Sequence, residues 1–158
     1  MAVTTTRTTF NALMHEVVEF IGDRPLDAAL EAALNERYPA SGTGFSNLKE
    51  TCRSAIAEGW MCEREAGGIR YGRVIQSHGQ LRGFSVDVVD MHDVKGPHHR
   101  HPNGEIDLIM PLSAGATFDD RGAGWLVYGP DSAHHPTARG GQALVLYLLP
   151  RGAIEFTR

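Results

Sequence analysis

His99, His101, Glu105 and His135 are the residues of this chain whose types and spacing point to chemistry. Three imidazoles and one carboxylate form a donor set suited to a divalent first-row metal. The first three lie in Gly96-Pro97-His98-His99-Arg100-His101-Pro102-Asn103-Gly104-Glu105, the fourth in Gly129-Pro130-Asp131-Ser132-Ala133-His134-His135. Alternate residues of a β-strand share a face, so His99 and His101 point the same way. Pro102-Asn103-Gly104 reads as a tight hairpin turn, because Asn-Gly supplies the positive φ angles such a turn needs. Glu105 then opens the returning strand beside the two histidines. His135 must arrive from a more distant strand, led in by the turn signal Gly129-Pro130-Asp131. The competing reading is surface histidines in polar loops. With eight His in the chain, His-x-His alone says little, and the ordered combination with Glu105 carries the weight.

Asp107 has the parity of Glu105, so it points inward one step beyond the metal set. That makes it a candidate general acid or base, or else a structural carboxylate accepting hydrogen bonds. His98 and His134 flank the expected ligands, and regular alternation turns them away from the metal. His134 is the better candidate catalytic group of the two, because turns break strict alternation.

The elements that must position these residues are legible from periodicity. Phe10, Leu13, Met14, Val17, Val18 and Ile21 have helical spacing with one apolar face. Pro25 suits a first helical position, and Leu26, Ala29, Leu30, Ala33 and Leu34 continue the period to about Tyr38. Asn47 to Glu50 reads as the start of a third helix, with Leu48, Cys52, Ala55 and Ile56 as its stripe and Gly59 as its stop. From Trp60 the period changes to two. Residues 68–75, 84–90, 105–110, 125–128 and 142–149 read as strands. Short strands between Gly, Pro and Asp turns, with no helices among them, predict a sandwich or small barrel. The expected organisation is a helical segment, 1–59, packed on a β-barrel, 60–158.

The bulk numbers narrow the function classes. At 158 residues, 42% of them hydrophobic, the chain is long enough for one domain with a real core. A net charge of −4 gives no bias toward polyanions. The Thr-rich start, Met1 to Phe10, has no apolar stretch of a secretory signal, and no apolar run approaches a membrane span. Cys52 and Cys62 match no zinc motif and form no disulfide framework. The expectation is a cytoplasmic, homodimeric protein with two reduced thiols and no membrane partner. Three helices before a β-module also permit a DNA-reading regulator. Charge argues against it: residues 1–60 carry five basic against eight acidic residues, and nucleic acid needs cations for its phosphates.

His99-x-His101-x3-Glu105 resembles the first motif of the cupins. Gly124-x5-Pro130-x-Ser132-x2-His135 resembles the second, with Ser132 where the motif has Gly and Arg139 where it has Asn. The resemblance implies a mainly β fold, a cupin-like jelly-roll β-barrel with an N-terminal α-helical extension. It also implies one divalent metal ion such as Fe, Mn or Zn.

The whole chain, from about residue 8 to 156, is similar to a smaller family, the 4-hydroxylaminobenzoate lyases of nitroaromatic breakdown. The likeness lies in Gly22-Asp23-Arg24-Pro25-Leu26-Asp27, in the stretch from Gly59-Trp60-Met61-Cys62 to Tyr71-Gly72-Arg73, and in the His cluster. It implies that a hydroxylaminobenzoate and water become a catechol, protocatechuate for the 4-isomer, and ammonia. That stoichiometry calls for no external oxidant, and no Gly-rich nucleotide loop is present. A small aromatic carboxylate as substrate calls for a cation, and Arg offers a bidentate fork. Arg70 and Arg73 have opposite parity on the first strand, so one of them faces the barrel, and Tyr71 shares the side of Arg73. The same metal ligands would also serve an Fe(II) cupin dioxygenase, or a non-catalytic small-molecule binder.

Overall fold

The computed structural model describes residues 2–157, with side chains from Thr6 onward. Met1 and Arg158, the end points of the two segments expected from the sequence, lie outside the described residues. Three helices come first: α1 (Ala2–Ile21), α2 (Ala28–Arg37) and α3 (Thr43–Glu58). The strands follow as β1 (Arg64–Ala66), β2 (Ile69–Ile75), β3 (Phe84–His92), β4 (His99–His101), β5 (Glu105–Pro111) and β6 (Thr117–Phe118). They continue as β7 (Gly124–Tyr128), β8 (Ser132–His134), β9 (Ala138–Arg139), β10 (Gln142–Pro150) and β11 (Glu155–Phe156).

Two helix starts differ from the sequence expectation. Helix α2 begins after Asp27 rather than at Pro25, because the Asp27 carboxylate accepts from the Leu30 amide at 3.0 Å and caps the first turn. Helix α3 begins at Thr43, a turn before Asn47, without a side-chain cap. Its end is the expected one: Gly59 takes the left-handed conformation, φ 88°, and closes the last turn onto Ala55 and Ile56.

The β-region is a cupin-like jelly roll made of separate sheets that face one another. The large antiparallel sheet runs β1-β2-β3-β10-β5-β7, and opposite it lies a small sheet, β11-β4-β8, with β6-β9 alongside. The large sheet is covered on both faces, which explains the almost unbroken apolar run of β10. Its outer face, with Val86, Val88, Leu108, Leu144 and Leu146, shares one core with Phe10, Met14, Leu30, Leu34 and Leu48 of the helices. Its inner face, with Val145, Ile109, Met91 and Leu126, packs with Phe118 inside the roll. Cys52 and Cys62 are buried in the helix-side core as free thiols. Among the described residues no helix is long and apolar enough to cross a membrane.

Helix α2 also completes the sheet. Strand β7 is an edge strand, and an edge presents unpaired amides and carbonyls. Asn35 pairs with both backbone groups of Trp125, donating to its carbonyl at 3.0 Å and accepting from its amide at 2.9 Å. Glu31 accepts from the Val127 amide at 2.9 Å. The helix thus supplies the partners a further strand would have given. Asn35→Ala strands two backbone groups at once, so it should destabilise the fold by about 1–3 kcal/mol. Urea unfolding measures this, and an unchanged midpoint would remove α2 from that role.

Candidate metal centre

The turn at Pro102-Asn103-Gly104 is not a hairpin. Strand β4 pairs with β8 and β11, and β5 pairs with β10 and β7, so the turn crosses from the small sheet to the large one. Only Gly104 takes a positive φ, 87°, and a Cβ there would stand 2.6 Å from the Tyr128 carbonyl. The crossing places His99 and His101 on one wall and Glu105 on the facing wall. The three still meet, but across the interior rather than side by side.

The fourth member of the cluster is His134. Ligand atoms of His99, His101, Glu105 and His134 all lie within 4.8 Å of one another. His99 Nε2 is 2.9 Å from His101 Nε2 and 3.1 Å from His134 Nε2, and His101 Nε2 is 3.3 Å from Glu105 Oε1. His135, the residue expected from the sequence, is exposed, with Nδ1 3.2 Å from the Gly96 carbonyl and its ring against His98. Register explains the correction. His134 sits directly opposite His99 in the β4-β8 ladder, so the two share a face and His135 falls on the other. The left-handed turn residue is Asp131, φ 67°, whereas the motif pattern sets Ser132 in the glycine position. Asp tolerates that conformation better than most residues, so an Asp in the turn is the available signal for a one-residue offset. Arg100 holds the register from outside, pairing with Asp131 before β8 and with Glu155 of β11. The other flanking residue, His98, bonds the Thr157 hydroxyl and stays outside the cluster.

The donor chemistry fits a divalent cation. Burial, and then the neighbouring imidazoles, push His101 down to about 3 and His99 down to about 4. Both are therefore neutral at physiological pH, as ligation requires. Donors about 2.1 Å from one ion stand about 3.0 Å apart at right angles, close to the nitrogen separations here. Burial pushes the Glu105 carboxyl up to about 7, against the lowering effect of its hydrogen bond with Asp107.

Asp119 carries no motif signal in the sequence, yet it orients the cluster. Its carboxylate is 2.5 Å from His134 Nδ1, and it accepts from the Tyr128 hydroxyl and from the Thr137 amide at 2.9 Å. Burial works to raise Asp119, but the hydrogen bonds from His134 and Tyr128 outweigh it and hold it below the usual carboxylate range. An ionised carboxylate can only accept, so His134 carries its proton on Nδ1 and turns the Nε2 lone pair inward. On the other side, Ser132 Oγ is 2.9 Å from His101 Nδ1. Such outer partners are worth about 10–100-fold in metal affinity, so Asp119→Asn should weaken metal binding by that factor. Titration of the metal-free protein with Zn(II) reads it out, and unchanged affinity would make Asp119 a purely structural residue.

A cavity of about 320 Å³ opens beside the cluster. Tyr71, Val89, Val145 and Phe118 form apolar walls, and Glu105, Asp107, His99, His134 and Tyr147 supply the polar groups. Asp107 is fully buried and shares a hydrogen bond with the Glu105 carboxyl, which needs a proton on one of the two. Burial first, then the neighbouring Glu105 carboxyl, push it well up. Tyr147 lies between Asp87 and Asp107 in the register of β3, β10 and β5. Burial, and then Asp87, raise its hydroxyl far above the ordinary range and keep it neutral. Tyr147 is the one polar-tipped residue in the apolar run of β10, a sign that is present in the sequence.

Neither arginine expected at the cavity lines it. Arg70 is exposed on the opposite face from Tyr71. Arg73 does share the face of Tyr71, but its Nε donates to Asp87 at 2.9 Å and its guanidinium reaches the Gly152 carbonyl at 3.3 Å. Asp87 comes from β3, so parity within β2 could not reveal the pairing.

Comparison with known proteins agrees with the whole-chain likeness. The family model described as PnbB, 4-hydroxylaminobenzoate lyase, matches residues 12–156. A 4-hydroxylaminobenzoate lyase of Nocardioides sp. (strain LMS-CY) is 32% identical over 136 residues, 80% of each chain. One of Pseudomonas putida is 28% identical over 153 residues, 86% of this chain and 87% of that one. Among solved structures, an RmlC-like cupin protein of Ralstonia eutropha aligns with a TM-score of 0.42 and 10% identity, covering 54% of this chain and 57% of that one. A match that runs through the helical layer and the jelly roll alike covers every element that builds the cluster, and this chain belongs to the 4-hydroxylaminobenzoate lyase family.

Proposed function

We propose that the protein converts 4-hydroxylaminobenzoate and water to protocatechuate and ammonia, with one divalent metal held by His99, His101, Glu105 and His134. The observation that carries the reading is an apolar cavity, large enough for one aromatic ring, with its proton-bearing groups and donor cluster together. Family membership names the substrate class.

The reaction balances without an outside oxidant. The N–O bond breaks and its electron pair leaves with oxygen, which departs as water after taking a proton. The electron-poor ring then adds water at the carbon next to the C–N carbon. A second water hydrolyses the resulting C=N bond and releases ammonia. Loss of the ring proton restores aromaticity as the catechol. Two waters enter, one water and one ammonia leave, and the electrons given up by the ring are those that reduce the nitrogen.

A divalent metal, when bound, would supply Lewis acidity toward oxygen. The chain's own residues do the rest. Val89, Val145 and Phe118 hold the ring and keep bulk water off it. Asp107, held in its protonated form, donates from Oδ to the departing hydroxyl. It can then accept a proton from the water that adds to the ring. The neutral Tyr147 hydroxyl is a fixed donor beside it.

Oxygen dependence tests the reading. Under argon the metal-loaded protein should release catechol and ammonia in equal amounts from 4-hydroxylaminobenzoate. Strict dependence on oxygen would replace the lyase with a dioxygenase.

A further inference from the structure

A para-substituted ring carries its two substituents at opposite poles, so only one of them can enter the closed end of the cavity. That end holds Glu105, Asp107 and Tyr147, whereas Ala66, Pro97 and Phe156 at the other end are exposed. The groups that move protons are all at the closed end, and N–O cleavage needs them there. A substrate carboxylate placed at that end would take the space the hydroxylamino group needs and lose its hydration where no Lys or Arg among the described residues lines the cavity to receive it. At the mouth it would stay hydrated, at no desolvation cost.

The cation that could have drawn the carboxylate inward is already engaged. Arg73 faces inward but is bonded to Asp87 and to the Gly152 carbonyl. Recruiting it would leave the buried Asp87 carboxylate without its partner, which is costly. Among the described residues no Lys or Arg lines the cavity. Recognition therefore falls on the ring, through its apolar walls, and on the hydroxylamino end.

We propose that the cavity takes its substrate hydroxylamino end first, with the para substituent at the water-exposed mouth, so that uncharged 4-substituted arylhydroxylamines are substrates alongside the benzoate. This rests on the lyase reading and extends it to a neutral substrate class. It also sets an isomer preference. In 2-hydroxylaminobenzoate the carboxylate sits next to the reacting nitrogen and is carried to the closed end beside Glu105 and Asp107.

The test compares three compounds on the metal-loaded protein under argon: 4-hydroxylaminobenzoate, 4-hydroxylaminobenzamide and 2-hydroxylaminobenzoate, with catechol formation as the readout. A solvent-exposed charge is worth no more than about fivefold in affinity, so the benzamide should keep kcat/KM within about tenfold of the 4-benzoate, any loss appearing in KM. The 2-isomer should lose at least about 100-fold, the cost of desolvating a carboxylate at an end that no Lys or Arg among the described residues lines. Binding of the products gives a second readout. Calorimetry should find 3,4-dihydroxybenzamide and protocatechuate within about tenfold of one another. A benzamide more than tenfold worse than a well-processed 4-benzoate overturns the orientation and leaves the lyase reading standing. If none of the three gives a catechol, the lyase reading itself falls, and the orientation with it.

Discussion

Replacing His134 with alanine is expected to strip the bound metal, while replacing the adjacent His135 leaves it in place. His134 Nε2 stands 3.1 Å from His99 Nε2 inside the cluster, and His135 points to the Gly96 carbonyl on the exposed side. A native shell of about one ion per chain should therefore fall to a small fraction in His134→Ala, because a lost ligand is not readily replaced in a fixed shell. His101→Ala should behave in the same way, since His101 is fully buried and borders both His99 and Glu105. Loss of Lewis acidity is worth several kcal/mol, so turnover should drop by about 10³-fold or more in both. Elemental analysis after gel filtration, with kcat on 4-hydroxylaminobenzoate, measures the two effects. Full occupancy in His134→Ala together with loss in His135→Ala would show that the β4-β8 register is one residue from the one described.

Asp107→Asn should have the next largest effect, and a different signature. Asp107 is two residues from Glu105 on β5, shares a hydrogen bond with it and lines the cavity. The amide has nearly the same shape but cannot give up a proton and take it back. Positioned acid–base groups contribute about 10²–10⁴-fold, so kcat should fall by that range while metal content stays at the wild-type level. KM should move little, because ring contacts dominate binding. Metal content and kcat measured on one preparation separate this from ligand loss. A variant with normal kcat would return Asp107 to the role of a structural carboxylate.

These variants fall on either side of a distinction that the sequence cannot draw. Glu105 and Asp107 share parity on one strand, and alternation alone turns both inward. Parity says which face a residue takes, but not what stands across from it. Here Glu105 meets imidazoles at the small sheet, and Asp107 meets Tyr147 in the neighbouring strand. A ligand and a proton carrier thus arise two residues apart.

The elements themselves are legible because their causes are local. A 3.6-residue apolar period marks the helices, alternation marks β2, β3 and β5, and short apolar runs between turn residues mark β7 and β10. The short strands β1, β4, β6, β8, β9 and β11 leave no such mark, since two or three residues are too few for a period to show. His-x-His-x3-Glu names three cluster members through residue type and spacing alone, and the whole-chain likeness names the family.

Tertiary structure alone decides which of two adjacent histidines faces the centre and whether Arg73 is free. It also decides which residues support the cluster. Each depends on a partner from another strand or turn: β8 with β4, β3 with β2, and Asp119, just after β6, with His134 of β8. The side-chain period of a strand is two, so a one-residue difference in register, set here by the left-handed Asp131 turn, moves a histidine from the cavity to solvent. Beyond the Asp131 turn, local spacing carries no record of that register. It is set by the apolar faces that must be buried together and by the ion pairs, such as Arg100 with Asp131 and Glu155, that lock the strands once they meet.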